Sequence, residues 1–499
     1  MSERLKIGWS SADITPKGPV MLGGQMFNRL SEGVHLPLSA TAMALESGDE
    51  KAVILSVDTV SLRLFVMNKV RDRVSAAAGI PALNIIASAT HTHTAPQYGA
   101  ILPREDWIGA GKSGGTSIGN AGIDVEEMRK KHPDFVDSEQ YADFLVEKLS
   151  ECIINAWNNR KYGKIAYGMG EAAVGECRRL VVDGKGGVMY ADEAMAGVSH
   201  AEGHVDHSVN IMSTYDESDN LTGILINLAC PAQAMEAMSL VSSDFWGEVR
   251  NIAKEKYSKN IHILPQCSPA GDQSPHKILN RKADARMMKL RGQLENPVPD
   301  WTWGKRAFNF EYNAARCKEI ARRIMTSVNE VLAVIQPTAD DAPVMKRNCR
   351  IIDLPPRLIT EQEYAENKAA VEKMKADMAK TNTPYSAHLN WLAGVLHRYE
   401  NPIKSVPMEL HTLRIGGAVF ATNTFELYLD YGDRIKGASK AEQTFLVQLA
   451  CGNGGTYLPS ERSGTTGYGS VPASSIVTFD GGEIIVRESI KDINALFEQ

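Results

Sequence analysis

A large α/β catalytic domain, with mixed β-sheets flanked by helices and its site at strand carboxyl ends, is the fold class that three observations predict. Apolar, β-prone runs recur at residues 52–57, 83–90, 221–230, 261–264, 418–422 and 444–450. Taken in pairs, these runs are separated by stretches read as helical, so a strand–helix–strand rhythm occurs three times. Such a crossover favours parallel pairing and puts both carboxyl ends on one edge, where open α/β sheets build their sites. The third observation is chemical: histidine, serine, glutamate and tyrosine in suggestive contexts fall just past those ends.

Residues 7–16 (IGWSSADITP) read as a short strand closing in a turn punctuated by Asp13 and Pro16. Residues 41–45 suggest a second strand, 46–51 a polar turn, and 52–57 (AVILSV) a buried strand ending at Asp58. Leu62, Val66, Val70 and Val74 line one face of a helix over 61–78, which Gly79 ends. Asp58 either supports a histidine of the site or caps that helix. Residues 98–135, rich in glycine and charge, read as a long functional loop or lid. A helix over 138–160 leads into a strand or two over 164–176. Strand 221–230, a helix around 244–257 and strand 261–264 repeat the first unit. Residues 277–310, polar and carrying Trp301 and Trp303, read as an insertion near the site. Helices over 312–335 and 360–381 come next. The third unit is strand 418–422, a helix over 425–436 carrying Glu426, and strand 444–450.

The 499 residues admit two or three domains, or one large unit with insertions. With 43% hydrophobic and 23% charged residues, a sizeable core is within reach. A net charge of −6 without a basic stripe argues against a nucleic-acid binder. Seven scattered cysteines, odd in number and without CxxC spacing, read as reduced thiols. No run approaches membrane-spanning length, and the first residues lack the apolar core of a secretion signal, so the expected address is cytoplasmic.

The stretch LNIIASATHTHTAP carries the strongest chemistry: His91 and His93 come directly after a strand, a common way to present imidazole nitrogens to a metal. Ser274 lies in PAGDQSP, a loop able to aim backbone N–H groups at an oxyanion, although on local sequence alone an ordinary Asp-Ser turn explains it better. Its hydroxyl needs a base or a metal to become a nucleophile. Glu426 is either a metal-binding carboxylate or a charge suited to a helix N-terminus, and Tyr457 a site phenol or a packed aromatic. Of the adjacent Arg178 and Arg179, either can orient a carbonyl or carboxylate, and such pairs usually divide into one inward and one solvated side chain.

In this order THTHTAP, GDQSP, FELY and GGTYLPSE resemble the catalytic domain of the neutral/alkaline non-lysosomal ceramidase family. The resemblance runs from SADITP at 11–16, through GVHLPLSATAMAL and ILSVD, to the tyrosine-containing loop, and covers nearly the whole chain. THTHTAP is similar to the family's THTHSGP block, and AGDQSP to its GDVSPN block. It implies one α/β domain over 1–499, with insertions at about 98–135 and 277–310, that cleaves an amide bond through a serine and a zinc ion (or another divalent metal). Carried over by position, His91 is a zinc ligand, His93 a site histidine beside it and Ser274 the nucleophile, with Asp272 a further catalytic candidate next to it. Glu426 is a metal ligand, Tyr457 the metal-binding tyrosine, and Arg178 or Arg179 the arginine near the scissile group.

The sequence departs from the family in two places. At the family's second zinc histidine it reads NLACPAQAM, where Cys230, Pro231 and Gln233 stand. A Cys230 thiolate, with Asp244 within reach, replaces the ligand, or else the metal is weakened, exchanged or absent. The residues up to Gln499 also lack the family's immunoglobulin-like C-terminal domain. The expectation is therefore a ceramidase-like hydrolase of an amide (or related C–N or ester) bond. Its substrate is a small-molecule or lipid-like amide other than membrane ceramide. The alternatives are a cytosolic hydrolase of a small polar metabolite with altered or absent metal, and a non-catalytic binding protein on a degenerate site.

Overall fold

The computed structural model describes residues 3–98, 125–190, 196–296, 298, 306–381, 387–452, 456–464 and 466–498. Two sheets pack face to face and helices cover both outer sides. The larger sheet runs in the order His262–Cys267, Leu221–Leu228, Ser208–Asp216, Lys161–Glu171, Lys6–Asp13, Ser39–Ser47, Glu50–Val57, Ile85–Ala89. The smaller runs Met345–Leu354, Val406–Ile415, Ala418–Thr422, Gln443–Val447.

The strand Glu50–Val57 shows why the apolar runs are continuous. Ala52 and Ile54 face the layer between the sheets, against residues such as Phe420 and Phe445. Val53, Leu55 and Val57 point the other way, into the core under the helices Leu64–Ala78 and Ser138–Asn158. With both faces buried, the period-two alternation of an exposed strand disappears. The helices Phe245–Lys256 and Phe310–Ile335 cover the other half of that sheet, and Leu429–Ala438 and Phe479–Ala495 cover the smaller one.

The three strand–helix–strand units are parallel pairs: Val53 opposite Ile85, Gly223 opposite His262, Ala418 opposite Gln443. Their carboxyl ends meet. The Gln448 N–H donates to the Cys267 carbonyl (3.0 Å), and the Ala89 N–H to the Leu449 carbonyl (3.3 Å). Loops leaving three separate units therefore share one neighbourhood.

Some elements differ from the sequence reading. The helix expected over 425–436 begins at Leu429; Glu426 and Leu427 form a two-residue strand parallel to Tyr457 and Leu458. The Glu426 N–H donates to the Thr456 carbonyl (3.0 Å) and pairs the two short strands. Asp58 neither caps the first helix nor bonds a histidine; it holds Arg250 through both oxygens (2.6 and 3.1 Å). Asp244 caps the helix Phe245–Lys256 and accepts the Met235 N–H. Within 277–310, residues 281–290 form a helix. Trp301 and Trp303, and residues 99–124 of the expected lid, lie outside the described residues.

Candidate active site

The run Thr90-His91-Thr92-His93-Thr94 alternates about its backbone. The threonines turn into the fold: Thr90 donates to Asp58 (3.2 Å), and Thr92 and Thr94 both donate to the Ser242 carbonyl (2.7 and 2.9 Å). The histidines take the other side. His91 has φ 65°, a left-handed backbone unusual outside glycine, costing about 1 kcal/mol or more and held here by its surroundings. Gly24, at φ 91°, lies against the His93 ring, and a Cβ there would approach it to 2.4 Å. Arg29 ties the cradle together, donating to the carbonyls of His93 (2.7 Å), Glu236 (2.6 Å) and Met238 (2.7 Å).

His91 Nδ1 donates to the Val60 carbonyl (2.6 Å), which leaves Nε2 facing Glu426 Oε2 at 3.1 Å and His93 Nε2 at 3.4 Å. Glu426 and Tyr457 are register partners on the two short strands, and the phenol hydrogen-bonds the carboxylate. His93 Nε2 accepts from Gln233 Nε2 (2.8 Å), and its Nδ1 stands 3.5 Å from Glu236 Oε2. Glu236 Oε1 lies 3.0 Å from His276 Nε2 and accepts from the Tyr190 hydroxyl (3.5 Å). Tyr190 in turn lies 3.4 Å from Ser274 Oγ. Ser274 sits on a short strand opposite Glu176, and its Oγ accepts the His276 N–H (3.1 Å). Arg178 approaches from the same strand pair; it donates to the Gly271 carbonyl (2.8 Å), with its guanidinium 5.2 Å from the Tyr457 ring centre. A continuous set of contacts thus joins Ser274, Tyr190, Glu236, His93, His91, Glu426 and Tyr457.

These groups are almost fully buried, and their charges are set by one another. Burial disfavours the Glu236 carboxylate, but the hydrogen bonds and charges of His276 and His93 outweigh it and hold the group far below the usual carboxylate range. Burial likewise opposes ionisation of Glu426, and His91, Arg178 and Tyr457 reverse it, so its pKa is lowered. Burial lowers the His93 pKa, with the Glu236 carboxylate pulling the other way. At His91 burial acts the same way, but Glu426 overcomes it and the net displacement is upward. Burial drives the Tyr457 phenol well above its ordinary value, although Arg178 pulls against it.

The donors at His91 fit a divalent cation. One imidazole nitrogen, one carboxylate and one phenol converge, and Gln233 Oε1 is buried beside them without a hydrogen-bond partner among the described residues.

Among the residues expected from sequence, His91, His93, Ser274, Glu426, Tyr457 and Arg178 come together. Three others point elsewhere. Arg179, on the opposite side of the chain from Arg178, is neither solvated nor in this cluster; it is buried against Glu202 (3.0 Å) and the Thr466 and Tyr468 carbonyls. Asp272 accepts the Leu429 N–H (3.2 Å) and fixes the start of a helix. Cys230 packs in the apolar core beneath the helices, apart from the donors at His91, and burial there pushes its thiol pKa up. Sequence reasoning missed Tyr190, Gln233, Glu236 and His276. Signals for three existed: His276 comes two residues after Ser274, and Gln233 and Glu236 lie in the loop where the ceramidase pattern has its second histidine.

The fold has solved counterparts. The chain superposes on the crystal structure of neutral ceramidase from Pseudomonas aeruginosa with a TM-score of 0.66 and 16% identity, over 99% of this chain and 74% of that one. A ceramidase complexed with C2 gives a TM-score of 0.65 at 16% identity, over 99% and 75%. No family model and no curated protein matches the sequence. The likeness is one of fold, that of the neutral ceramidase structures.

Proposed function

We propose that this protein is a ceramidase-like, metal-dependent hydrolase that cleaves an amide (or related C–N or ester) bond in a substrate other than long-chain membrane ceramide. The observation that carries this reading is the contact chain from Ser274 through Tyr190 and Glu236 to His93, His91 and Glu426. It links a hydroxyl nucleophile to proton acceptors and to a metal-competent donor set.

His91, Glu426 and Tyr457 would hold the ion, which when bound polarises the scissile carbonyl and lowers the pKa of a hydroxyl or water beside it. Tyr190 stands between Ser274 and Glu236 and passes the serine's proton toward the Glu236–His93 pair, Glu236 itself staying ionised between its histidine partners. His93, with Nδ1 facing Glu236 and Gln233 donating to Nε2, takes up that same proton and returns it to the leaving amine. Arg178, fixed on Gly271, orients the substrate oxygen over the Tyr457 ring. The enclosing groups are charged or hydroxylic, which favours a short polar acyl or amine portion over two long alkyl chains. Gln233 also supports a second reading, a weakly held metal, because a neutral amide stands beside His93 where the ceramidase pattern has an anchoring histidine.

The test is a panel of N-acyl amides, from N-acetyl compounds to detergent-solubilised long-chain ceramide, assayed for amine release before and after chelation. Hydrolysis of the short polar members, lost on chelation and restored by zinc, is expected. Efficient turnover of the long-chain ceramide would overturn the substrate assignment, and undiminished activity after exhaustive metal removal the metal dependence.

A further inference from the structure

A second cluster of metal-ligating side chains lies beside the strand Ile85–Ala89, where the edge of the larger sheet meets the smaller one. Glu409 and His411 share one face of the strand Val406–Ile415, and Cys349 is the register partner of His411 on Met345–Leu354. Cys451 arrives from the other side. It lies beyond the strand Gln443–Val447, adopts φ 49°, and is locked to Ala87: its N–H donates to the Ala87 carbonyl (3.0 Å), and the Ala87 N–H points at its sulfur (3.4 Å).

The ligand atoms of Glu409, His411 and Cys451 all lie within 4.8 Å of one another, and Cys349, outside that group of three, reaches it at His411 Nε2. The single nitrogen His411 Nε2 faces Glu409 Oε2 at 3.0 Å and Cys349 Sγ at 3.6 Å, and Cys451 lies beside the same ring. One proton on that nitrogen serves one of these partners well; a cation serves them all. Adjacent nitrogen and sulfur ligands of a tetrahedral zinc, with bonds of about 2.0 and 2.3 Å, stand roughly 3.5 Å apart. Cys451 and His411 are each 2% exposed, and Cys349 is half-buried. Arg71, itself buried, grips both Glu409 oxygens (2.9 and 2.8 Å) and the Ile85 carbonyl (3.1 Å).

We propose that Cys349, Glu409, His411 and Cys451 form a structural zinc site, separate from the His91 cluster, that pins the two sheets together. Two thiolates, an imidazole and a carboxylate are a soft, closed set that selects zinc over magnesium or manganese. The charges also balance: three anionic ligands are matched by a divalent ion together with the Arg71 guanidinium. Binding displaces both thiol protons and any proton at His411 Nε2, so the site fills less completely as pH falls.

The test is loading of the metal-stripped full-length protein with cobalt(II), read by its ultraviolet absorption. Thiolate-to-cobalt charge transfer arises only where sulfur binds the ion, so it reports this cluster and not the sulfur-free donors at His91. A charge-transfer band at one equivalent of cobalt per chain is expected, unchanged in His91→Ala, absent in Cys451→Ser and about halved in Cys349→Ser. The zinc content of the purified protein should fall by one atom per chain in Cys451→Ser. If Cys451→Ser does not fold, the wild-type band and its halving in Cys349→Ser decide alone. Cobalt bound without such a band, no cobalt bound at all, or a Cys349–Cys451 disulfide in the freshly purified protein would each overturn the proposal.

Discussion

Two histidine–glutamate pairs lie along the same edge strand, Ile85–Ala89, and their neighbours set them apart. His91 stands just past its end, and the other three members of the two pairs, Glu426, Glu409 and His411, come from the later part of the chain; the imidazole–carboxylate separations are 3.1 and 3.0 Å. Around His91 stand Tyr457, Gln233, Glu236, Tyr190 and, through them, a serine hydroxyl: oxygen and nitrogen groups that can exchange protons. Around His411 stand two thiols and, through Glu409, a guanidinium: groups that bind an ion and balance its charge. On the functions proposed for them, one pair serves chemistry and the other holds an ion.

The largest expected difference is in activity. His91→Ala should lower kcat/KM by about 10³-fold or more, the scale of losing a group that acts as part of a catalytic unit, whereas His411→Ala should leave it within about threefold. Amine-release kinetics on the best substrate check both, and equal losses would dissolve the distinction. Stability should show the reverse. Arg71→Met strands a buried carboxylate and should cost about 3–5 kcal/mol of unfolding free energy, read from denaturant titration, while kcat changes little.

Glu236→Gln should cost about 10²-fold in kcat/KM, as expected for loss of a link in the proton path between Tyr190 and His93. It also has a pH signature. The folded-state pKa of Glu236 lies below its unfolded value because His276 and His93 outweigh burial. Its contribution to stability is therefore complete above the unfolded value of about 4.5 and is lost as pH falls below it. The stability gap between wild type and Glu236→Gln should narrow in acid, measured by denaturant titration from pH 7 downward. The smallest effect is expected for Cys230→Ser, which places a hydroxyl in an apolar core at a cost of about 1–2 kcal/mol and should leave metal content unchanged by elemental analysis.

The three parallel units were legible because strands buried on both faces leave unbroken apolar runs, as at 52–57, and because Gly79 marks a helix end by its left-handed backbone. The reactive loops were legible for the same reason, since each begins where such a run stops. Less was legible where pairing decides. Adjacent Arg178 and Arg179 lie on opposite sides of an extended chain, and only the folded strands tell which side holds the site. Glu409 and His411 carry a strand-spaced signal, but nothing local announces that Cys349 lies opposite His411 or that Cys451 reaches them from a different strand end. The half-exposed, charged strand Met345–Leu354 hid that register.

Everything proposed for the His91 cluster turns on whether Ser274 does chemistry there. The most direct measurement is the rate of amine release from a short N-acyl amide by the zinc-loaded wild type and by Ser274→Ala under identical conditions. Turnover in the wild type, reduced about 10³-fold or more in Ser274→Ala with zinc content preserved, is the predicted result. Equal rates in the two proteins, or no turnover by the wild type across the whole amide panel, would contradict a catalytic role for this serine.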